Sequence, residues 1–275
     1  MIQTNLQLLK PYEFEFSKPQ FNHFSKFIQC LQVCDKPTIN RFYHLHNTDR
    51  SSMNRFLTES PWKLEDLENI HLNQISKYYK EGSSMLIDDT ISHRKYAKKV
   101  EGANYHFNHT ESKQSLGYCI LTSTISFDNQ ILPYIIKPYY RKDDCVNTTF
   151  KSKNEMAKEI ILSSKNQEKI KYVIFDTWFS NDIVIGACKS AGKNYITQIK
   201  SNRNITIDNK KRFVREHARE IKDEDWFEFA VEGNKLRIVN TSAFISKIGS
   251  IQKYIQHANL CAQFKISHFL LTGIG

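Results

Sequence analysis

Two short apolar runs in this chain each lead into carboxylate side chains. The first, residues 84–90, contains Asp88 and Asp89, and the second, residues 172–177, contains Asp176. Apolar runs of this length are typical of buried strands. Acids at the ends of neighbouring strands form a cage of oxygen ligands, and a bound divalent cation relieves their mutual repulsion. We therefore expect two strands that each end in an acid, with a Mg²⁺ or Mn²⁺ site between them.

Such a site suits chemistry at a phosphodiester. Cleavage needs a nucleophile generated near pH 7 and neutralisation of the charge on the leaving oxygen, and two divalent ions about 3.5–4 Å apart supply both. Mg²⁺ and Mn²⁺ prefer carboxylate oxygen as a ligand. A single acid after an apolar strand can equally cap the next loop, so the argument depends on two such strands in one chain.

The overall charge favours a polyanionic partner. The 275 residues include 39 Lys and Arg against 29 Asp and Glu, which gives a net charge of +10. This excess of positive charge indicates a nucleic-acid partner.

No run approaches the ~18 apolar residues of a membrane span. The six cysteines form no CxxC pair, and no secretory signal is evident, which predicts reduced thiols in the cytoplasm.

Residues 1–80 are predicted to be an N-terminal helical region. Phe21, Phe24 and Phe27 recur at helical spacing, and Asp49 is suited to capping a further helix. Short helices that carry Arg and Lys are a usual DNA-contacting module. A packing or dimerisation role explains the pattern equally well, and the sequence leaves a homodimer open.

A zinc site is an alternative use of four residues in that region. Cys30, Cys34, His44 and His46 have the right ligand types. Their C-x3-C and H-x-H spacings fit zinc poorly, and both cysteines lie on the apolar side of the helical pattern. Buried thiols are the preferred interpretation.

Residues 81–200 are predicted to form a mixed sheet with helices on its faces, in the order β-β-β-α-β-α-β. A hairpin turns at Asp128 and Asn129, and Pro133 in its return strand indicates an edge or a bulge. Right-handed crossovers would place the strand ending at Asp89 beside the strand ending at Asp176. Residues 201–262 are predicted to be a β-rich insertion, and residues 263–275 a strand returning to the core.

Four stretches resemble DDE transposases of bacterial and archaeal insertion sequences. Residues 86–90 (LIDDT) and 173–179 (VIFDTWF) are similar to the first two catalytic blocks of that family. Residues 105–113 (YHFNHTESK) are similar to the segment after the first block, and residues 55–62 (RFLTESPW) to the N-terminal helical region. The resemblance covers most of residues 40–275. It implies an RNase H-like core, often interrupted by a β-rich insertion, and Mg²⁺-dependent nicking and strand transfer at element ends.

Carried onto this chain, the resemblance implies that Asp89 and Asp176 are the catalytic acids. Both would bind metal, with Asp88 as a neighbouring ligand and Asp89 bridging two ions. DNA contacts are expected from six basic side chains along the segment that follows the first acids. These are Lys95, Lys98, Lys99, His106, His109 and Lys113. Plain surface position explains the four lysines equally well and is the preferred interpretation of the two histidines. Trp178 and Phe179 suit either stacking on a DNA base or packing against the next helix.

The third acid of the family, a Glu on a helix after the insertion, has no clear counterpart. Glu216 and Glu220 are internal candidates, but a solvated helix within the insertion is the preferred interpretation of residues 214–220. The expectation is therefore a C-terminally truncated transposase that is inactive alone. A metal-dependent nuclease without strand transfer and a catalytically dead DNA-binding remnant remain the alternatives.

Overall fold

The computed structural model of the chain divides into two compact units, Met1–Tyr78 and Tyr79–Gly275. Described residues are 7–36, 38–94, 96, 100, 102–108, 111–145, 149–164, 166–231, 234–239, 243–245, 249–251, 253–256 and 268–273. None of the described helices has the length and apolar character that crossing a membrane requires.

Short helices make up the first unit. Its described α-helices are α1 (Lys18–Val33), α2 (Ile39–His46), α3 (Arg50–Thr58) and α4 (Leu64–Ile75), with 3-10 turns at Lys10–Glu15 and Ser76–Tyr78. Polar caps set where these helices begin. Asp49 Oδ2 accepts a hydrogen bond from the backbone N–H of Ser52 at 2.8 Å, and Thr38 Oγ1 accepts one from Arg41 at 3.2 Å.

The core of this unit is aromatic. Phe16, Phe42, Met53 and Phe56 are buried together with Cys30. This packing explains the helical spacing of the Phe residues in α1, since the partly buried rings of that helix cover the same cluster.

Cys30 of α1 and Cys34, directly after that helix, belong to the packing of this core. Cys30 Sγ lies 3.7 Å from Cys34 Sγ, and Cys30 is 2% exposed. Burial raises the pKa of Cys30. Among the described residues no three His, Cys, Asp or Glu side chains are placed to hold a metal ion. The geometry therefore matches buried thiols.

Strands dominate the second unit. The first six are β1 (Ser83–His93), β2 (Asn104–Asn108), β3 (Lys113–Phe127), β4 (Gln130–Tyr139), β5 (Ile170–Phe175) and β6 (Asn194–Lys200). Helix α5 (Lys153–Ser163) precedes β5, and α6 (Asp182–Ser190) joins β5 to β6. Strands β5 and β6 run parallel, as do β1 and β5, whereas β3 is antiparallel to β1.

The remaining strands follow residue 200. They are β7 (Asn204–Ile207), β8 (Lys210–Phe213), β9 (Phe227–Val231), β10 (Asn234–Val239), β11 (Ala243–Ile245), β12 (Gly249–Ile251), β13 (Lys253–Gln256) and β14 (His268–Gly273). Helix α7 (Val214–Glu220) follows β8, and 3-10 turns lie at Lys142–Asp144, Thr177–Phe179 and Asp223–Asp225.

Ten of the described strands form one mixed sheet in the order β2-β3-β1-β5-β6-β14-β13-β10-β9, with β4 paired to β3. Four others form a smaller sheet in the order β12-β11-β7-β8. Helices α5 and α6 pack against each other, and α5 also contacts β3 and β4. The predicted α/β class is confirmed, and the mixed sheet is consistent with an RNase H-like DDE fold.

Strand β14 pairs antiparallel with β6 along its whole length, from His268 opposite Lys200 to Gly273 opposite Tyr195. Strands β13, β10 and β9 then continue the sheet beyond β14. Of the described strands in the predicted insertion, β9, β10 and β13 therefore extend the main sheet, and β7, β8, β11 and β12 form the smaller one.

The expectation that the first acidic strand ends at Asp89 is wrong. Strand β1 continues to His93, so Asp88 and Asp89 lie within it. The long strand β3 is the reason, because it pairs with β1 from Ser84 to His93. Strand β5, in contrast, pairs with β1 only as far as Ile87. The parallel pairing ends just before the acids, while the antiparallel pairing supports them.

Strand β2 was not predicted. It pairs with the start of β3, and Asn104 lies opposite Gly117. On the other side, Gly117 also pairs with His93 of β1. A Cβ atom at Gly117 would lie 2.3 Å from the backbone O of Ser92, so a glycine is needed where β1 and β3 approach so closely.

The predicted hairpin is confirmed between β3 and β4. Its turn has positive φ at Asp128 (42°) and Asn129 (60°), the left-handed conformation that these residue types tolerate. The expected irregularity is also present, since the β3–β4 register shifts between Thr122 and Thr124, opposite the part of β4 that begins at Pro133.

Candidate active site

The first feature of the site is the lateral pairing of two acids. Ile87 of β1 pairs with Phe175 of β5 in parallel register. Asp88 and Asp176 each follow one residue later, so the two acids lie side by side. Asp176 has an extended backbone, with φ −78° and ψ −177°. The fold therefore brings together two acids that are far apart in the sequence.

Asp89 lies on the other row of β1 side chains. It follows Met85 and Ile87 at two-residue spacing, and these are 0% and 2% exposed. Its cross-strand partner is Leu121, which is also 0% exposed. Asp89 thus continues the buried row of the sheet, whereas Asp88 belongs to the opposite row.

A lysine holds the Asp89 carboxylate. Lys153 Nζ lies 2.6 Å from Asp89 Oδ2, and the two side chains are 21% and 23% exposed. Among the ion pairs of the described residues, this is the one in which both side chains are mostly buried. The Cys119 thiol also approaches the same oxygen, with Sγ at 3.5 Å.

Lys153 owes its place to the start of α5. A reciprocal cap fixes that helix end: Glu155 Oε2 accepts from the Ser152 backbone N–H at 2.7 Å, and Ser152 Oγ accepts from the Glu155 N–H at 3.3 Å. The Lys153 ammonium lies 5.3 Å from the ring centroid of Tyr139 and 5.9 Å from that of Trp178. Both distances are within the range of cation–π attraction.

The charges of the site shift two pKa values. Burial raises the pKa of Asp88; the hydrogen bond from the Asp89 N–H opposes this, and the carboxylates of Asp176 and Asp89 add to the rise. Burial lowers the pKa of Lys153, but the hydrogen bond to Asp89 and its charge outweigh that effect and leave the pKa raised. The three acids are therefore close enough to interact electrically.

His106 belongs to the same side of the sheet as Asp89. It pairs with the buried Ser115 of β3, and its ring makes an edge contact with Tyr139 at 6.3 Å between centroids. Burial lowers the pKa of His106, and the positive charges of Lys153 and Arg141 lower it further. This side chain is thus close to the acids.

Asp176 has its own local support. Its Oδ1 accepts a hydrogen bond from the backbone N–H of Trp178 at 3.0 Å, and its carbonyl accepts one from Thr197 Oγ1 at 3.2 Å. The 3-10 turn that follows buries Phe179, which is 0% exposed, and leaves Trp178 57% exposed. Packing explains Phe179, whereas Trp178 lies at the surface beside the acids.

The predicted DNA contacts have mixed placements. Lys95, Lys98, Lys99 and His109 lie outside the described residues. Lys113 is exposed, and its Nζ pairs with Glu111 Oε2 at 2.9 Å.

The two internal candidates for a third acid have local partners in the insertion. Glu216 Oε2 accepts from the backbone N–H of Phe213 at 2.9 Å, which caps the start of α7. Glu220 forms an ion pair with Arg212. Both are exposed, as expected for a solvated helix.

Sequence reasoning missed Lys153, Cys119 and Tyr139. Lys153 carried one usable signal, since it begins a helix that was predicted correctly and one residue before it is a Ser suited to capping. Cys119 and Tyr139 gave none, because only the register of β3 against β1 and β4 places them near Asp89.

The donor chemistry fits a hard divalent cation. Asp88 and Asp176 offer oxygen ligands on adjacent chains, and Mg²⁺ commonly uses one or two carboxylates together with substrate phosphates. Burial, and after it repulsion from Asp176 and Asp89, raises the pKa of Asp88, and a bound cation would relieve that repulsion. Asp89 could join them only by giving up some of its contact with Lys153.

Comparison with known families gives one match. The sequence pattern of the DDE superfamily endonucleases matches residues 40–221, more than half of the chain, and the match includes all three acids. No curated protein matches the chain. The chain belongs to the DDE superfamily endonuclease family.

Proposed function

We propose that this protein is a DDE-type transposase that nicks DNA at the ends of an insertion sequence and joins the freed 3′ end to target DNA. The observation that carries the proposal is the side-by-side placement of Asp88 and Asp176 through the β1–β5 register, with Asp89 next to Asp88 in β1. Membership of an endonuclease family supports the reaction class, and the +10 charge suits a DNA substrate.

In this proposal the catalytic acids are Asp89 and Asp176, with Asp88 as a further metal ligand. Bound Mg²⁺ or Mn²⁺ would generate the nucleophile near neutral pH and neutralise charge on the leaving oxygen. The Asp176 carboxylate accepts from the Trp178 N–H, and its backbone carbonyl accepts from the Thr197 hydroxyl. These contacts hold the carboxylate at the end of β5 and reduce the cost of ordering it when DNA binds.

The proposed DNA path runs along the basic residues that follow the first acids in the sequence. His106 lies near Asp89 on the buried side of the sheet, and Lys113 lies at the start of β3. Together with Lys95, Lys98, Lys99 and His109, they would contact phosphates rather than bases, so their effect on affinity should fall with salt. The five described cysteines are free thiols, which fits the proposed cytoplasmic location.

The test uses a supercoiled plasmid that carries the DNA flanking the coding sequence. Mg²⁺-dependent nicking by the wild-type chain, lost in Asp176→Asn, is the expected result, and it would replace the expectation, drawn from the third acid without a counterpart, that the chain is inactive alone. Joining of a labelled 3′ end to a second plasmid tests strand transfer. Nicking without joining would indicate a nuclease, and binding without nicking a DNA-binding remnant. Nicking that Asp176→Asn retains would overturn the assignment of the site.

A further inference from the structure

The Lys153–Asp89 pair stands out because it links the proposed metal site to a helix that carries none of the acids. Lys153 is the first residue of α5, and Asp89 lies in the middle of β1. A mostly buried ammonium lies beside this carboxylate, with Nζ 2.6 Å from Oδ2.

We propose that Lys153 is a positioning residue that acts as a built-in counter-ion: it holds Asp89 in the metal-free protein and competes with the divalent ion for that carboxylate. The inference rests on the proposed function, because it assumes that Asp89 binds metal. It goes further by assigning a role to a residue outside the acidic blocks.

The first argument is electrostatic. The carboxylate of Asp88 interacts with those of both Asp89 and Asp176, and like charges repel. Without a cation, Asp89 would be a partly buried charge with no opposite charge beside it. The Lys153 ammonium supplies that charge, so the site can stay assembled before metal and DNA arrive.

The second argument is the placement of the lysine. The Ser152–Glu155 cap fixes the local backbone at the start of the helix, and α5 packs against β3 and β4. The long side chain can still rotate. The rings of Tyr139 and Trp178, at 5.3 Å and 5.9 Å from Nζ, provide an electron-rich surface for the ammonium when it moves off the carboxylate.

Competition predicts a result that a purely structural lysine would not produce. In Lys153→Met the carboxylate no longer has a resident cation, so Mn²⁺ should bind the DNA-free chain more tightly, by about tenfold in Kd. Lys153→Arg keeps the charge and should bind Mn²⁺ like the wild type. Titration calorimetry or Mn²⁺ electron paramagnetic resonance measures both.

The matched control is Lys151→Met. Lys151 is two residues away, and it pairs with Glu159 at 2.6 Å on the exposed side of α5. This change removes the same charge from the same helix end without touching Asp89. It should leave Mn²⁺ affinity unchanged to within about twofold. A change of that size is what the loss of one exposed, screened positive charge can produce.

Thermal melting keeps the test decisive if Lys153→Met is poorly stable. The variant should melt below the wild type in EDTA, and added Mn²⁺ should raise its melting temperature more than that of the wild type. Equal or weaker Mn²⁺ affinity together with an equal Mn²⁺ shift would overturn the inference and leave the proposed function intact. Absence of Mn²⁺ binding by the wild type and both Lys153 variants would overturn both.

Discussion

Asp88 and Asp176 lie side by side because Ile87 pairs with Phe175 one residue earlier on adjacent parallel strands. The pairing is made by apolar side chains, yet it places two carboxylates next to each other. Phe175 is 4% exposed and Ile87 is 2% exposed, so the register is fixed by burial. A slip by one residue would turn the apolar row of β1 toward the opposite face and separate the acids.

The Asp88→Asn variant should separate function from stability. The pKa of Asp88 is raised in the fold by burial and by its acidic neighbours, so its charged form at pH 7 disfavours the folded state. The neutral amide should therefore raise the urea midpoint slightly and weaken Mn²⁺ binding about tenfold or more. Asp143→Asn, at an exposed residue whose carboxylate is 3.9 Å from Arg141, is the control and should change neither quantity. A lower urea midpoint for Asp88→Asn would contradict the prediction.

The cap of α5 should contribute both to the stability of the fold and to Mn²⁺ affinity at the site. Ser152→Ala removes the hydroxyl that accepts the Glu155 N–H, which typically costs about 1 kcal/mol. Because Lys153 follows directly, the variant should also alter Mn²⁺ affinity. Asn181→Ala removes the corresponding cap of α6 and should cost a similar amount in urea unfolding without altering Mn²⁺ affinity. Equal effects of the two variants on Mn²⁺ affinity would argue against a link between the α5 cap and the site.

Much of the fold was predictable because its signals are local. The helix Lys153–Ser163 has a Ser cap and an apolar face, and the β3–β4 hairpin has Asp128 and Asn129 at its turn. The end of β1 was not predictable in this way. It depends on β3, whose long pairing continues past the acids to His93, and a partner strand leaves no mark in the sequence of β1 itself.

In the site, too, the residues with local sequence signals were predictable and those placed by long-range packing were not. The acids were visible because Asp88, Asp89 and Asp176 follow apolar runs. Their partner Lys153 is 64 residues from Asp89 in sequence and reaches it only through the packing of α5 on the sheet. A lysine at a helix start is ordinarily a solvated residue, so its place after the capping Ser predicts the helix position of Lys153 but not its contact with Asp89.

Acid should destabilise the helical unit through His46. Burial lowers the pKa of His46, and the charge of Lys26 lowers it further. A lowered pKa means that stability is present above the unfolded value, about 6.5, and is lost as pH falls through the folded pKa. Urea unfolding followed from pH 7.5 to about pH 5 should show this loss, and His46→Gln should reduce it. His44→Gln, at an exposed position on the same helix, should keep the wild-type pH dependence. An identical pH profile for His46→Gln and the wild type would contradict the assignment.

Trp178 should report on occupation of the site. Its side chain is 57% exposed beside the acids, whereas Trp226 is 8% exposed and Trp62 is partly buried with its Nε1 bonded to the Phe56 carbonyl at 3.0 Å. Acrylamide should therefore quench mainly Trp178, and Trp178→Phe should lose most of the accessible fluorescence.

In the wild type, duplex DNA with Mg²⁺ should then reduce the quenching of Trp178 fluorescence by acrylamide. The reason is that a DNA backbone bound at Asp176 would cover the neighbouring indole. The Asp176→Asn variant, which lacks one carboxylate but keeps Trp178, should show less Mg²⁺-dependent protection. If DNA and Mg²⁺ protect Trp178→Phe as strongly as the wild type, the DNA covers another tryptophan, and the path proposed beside Asp89 and Asp176 is wrong.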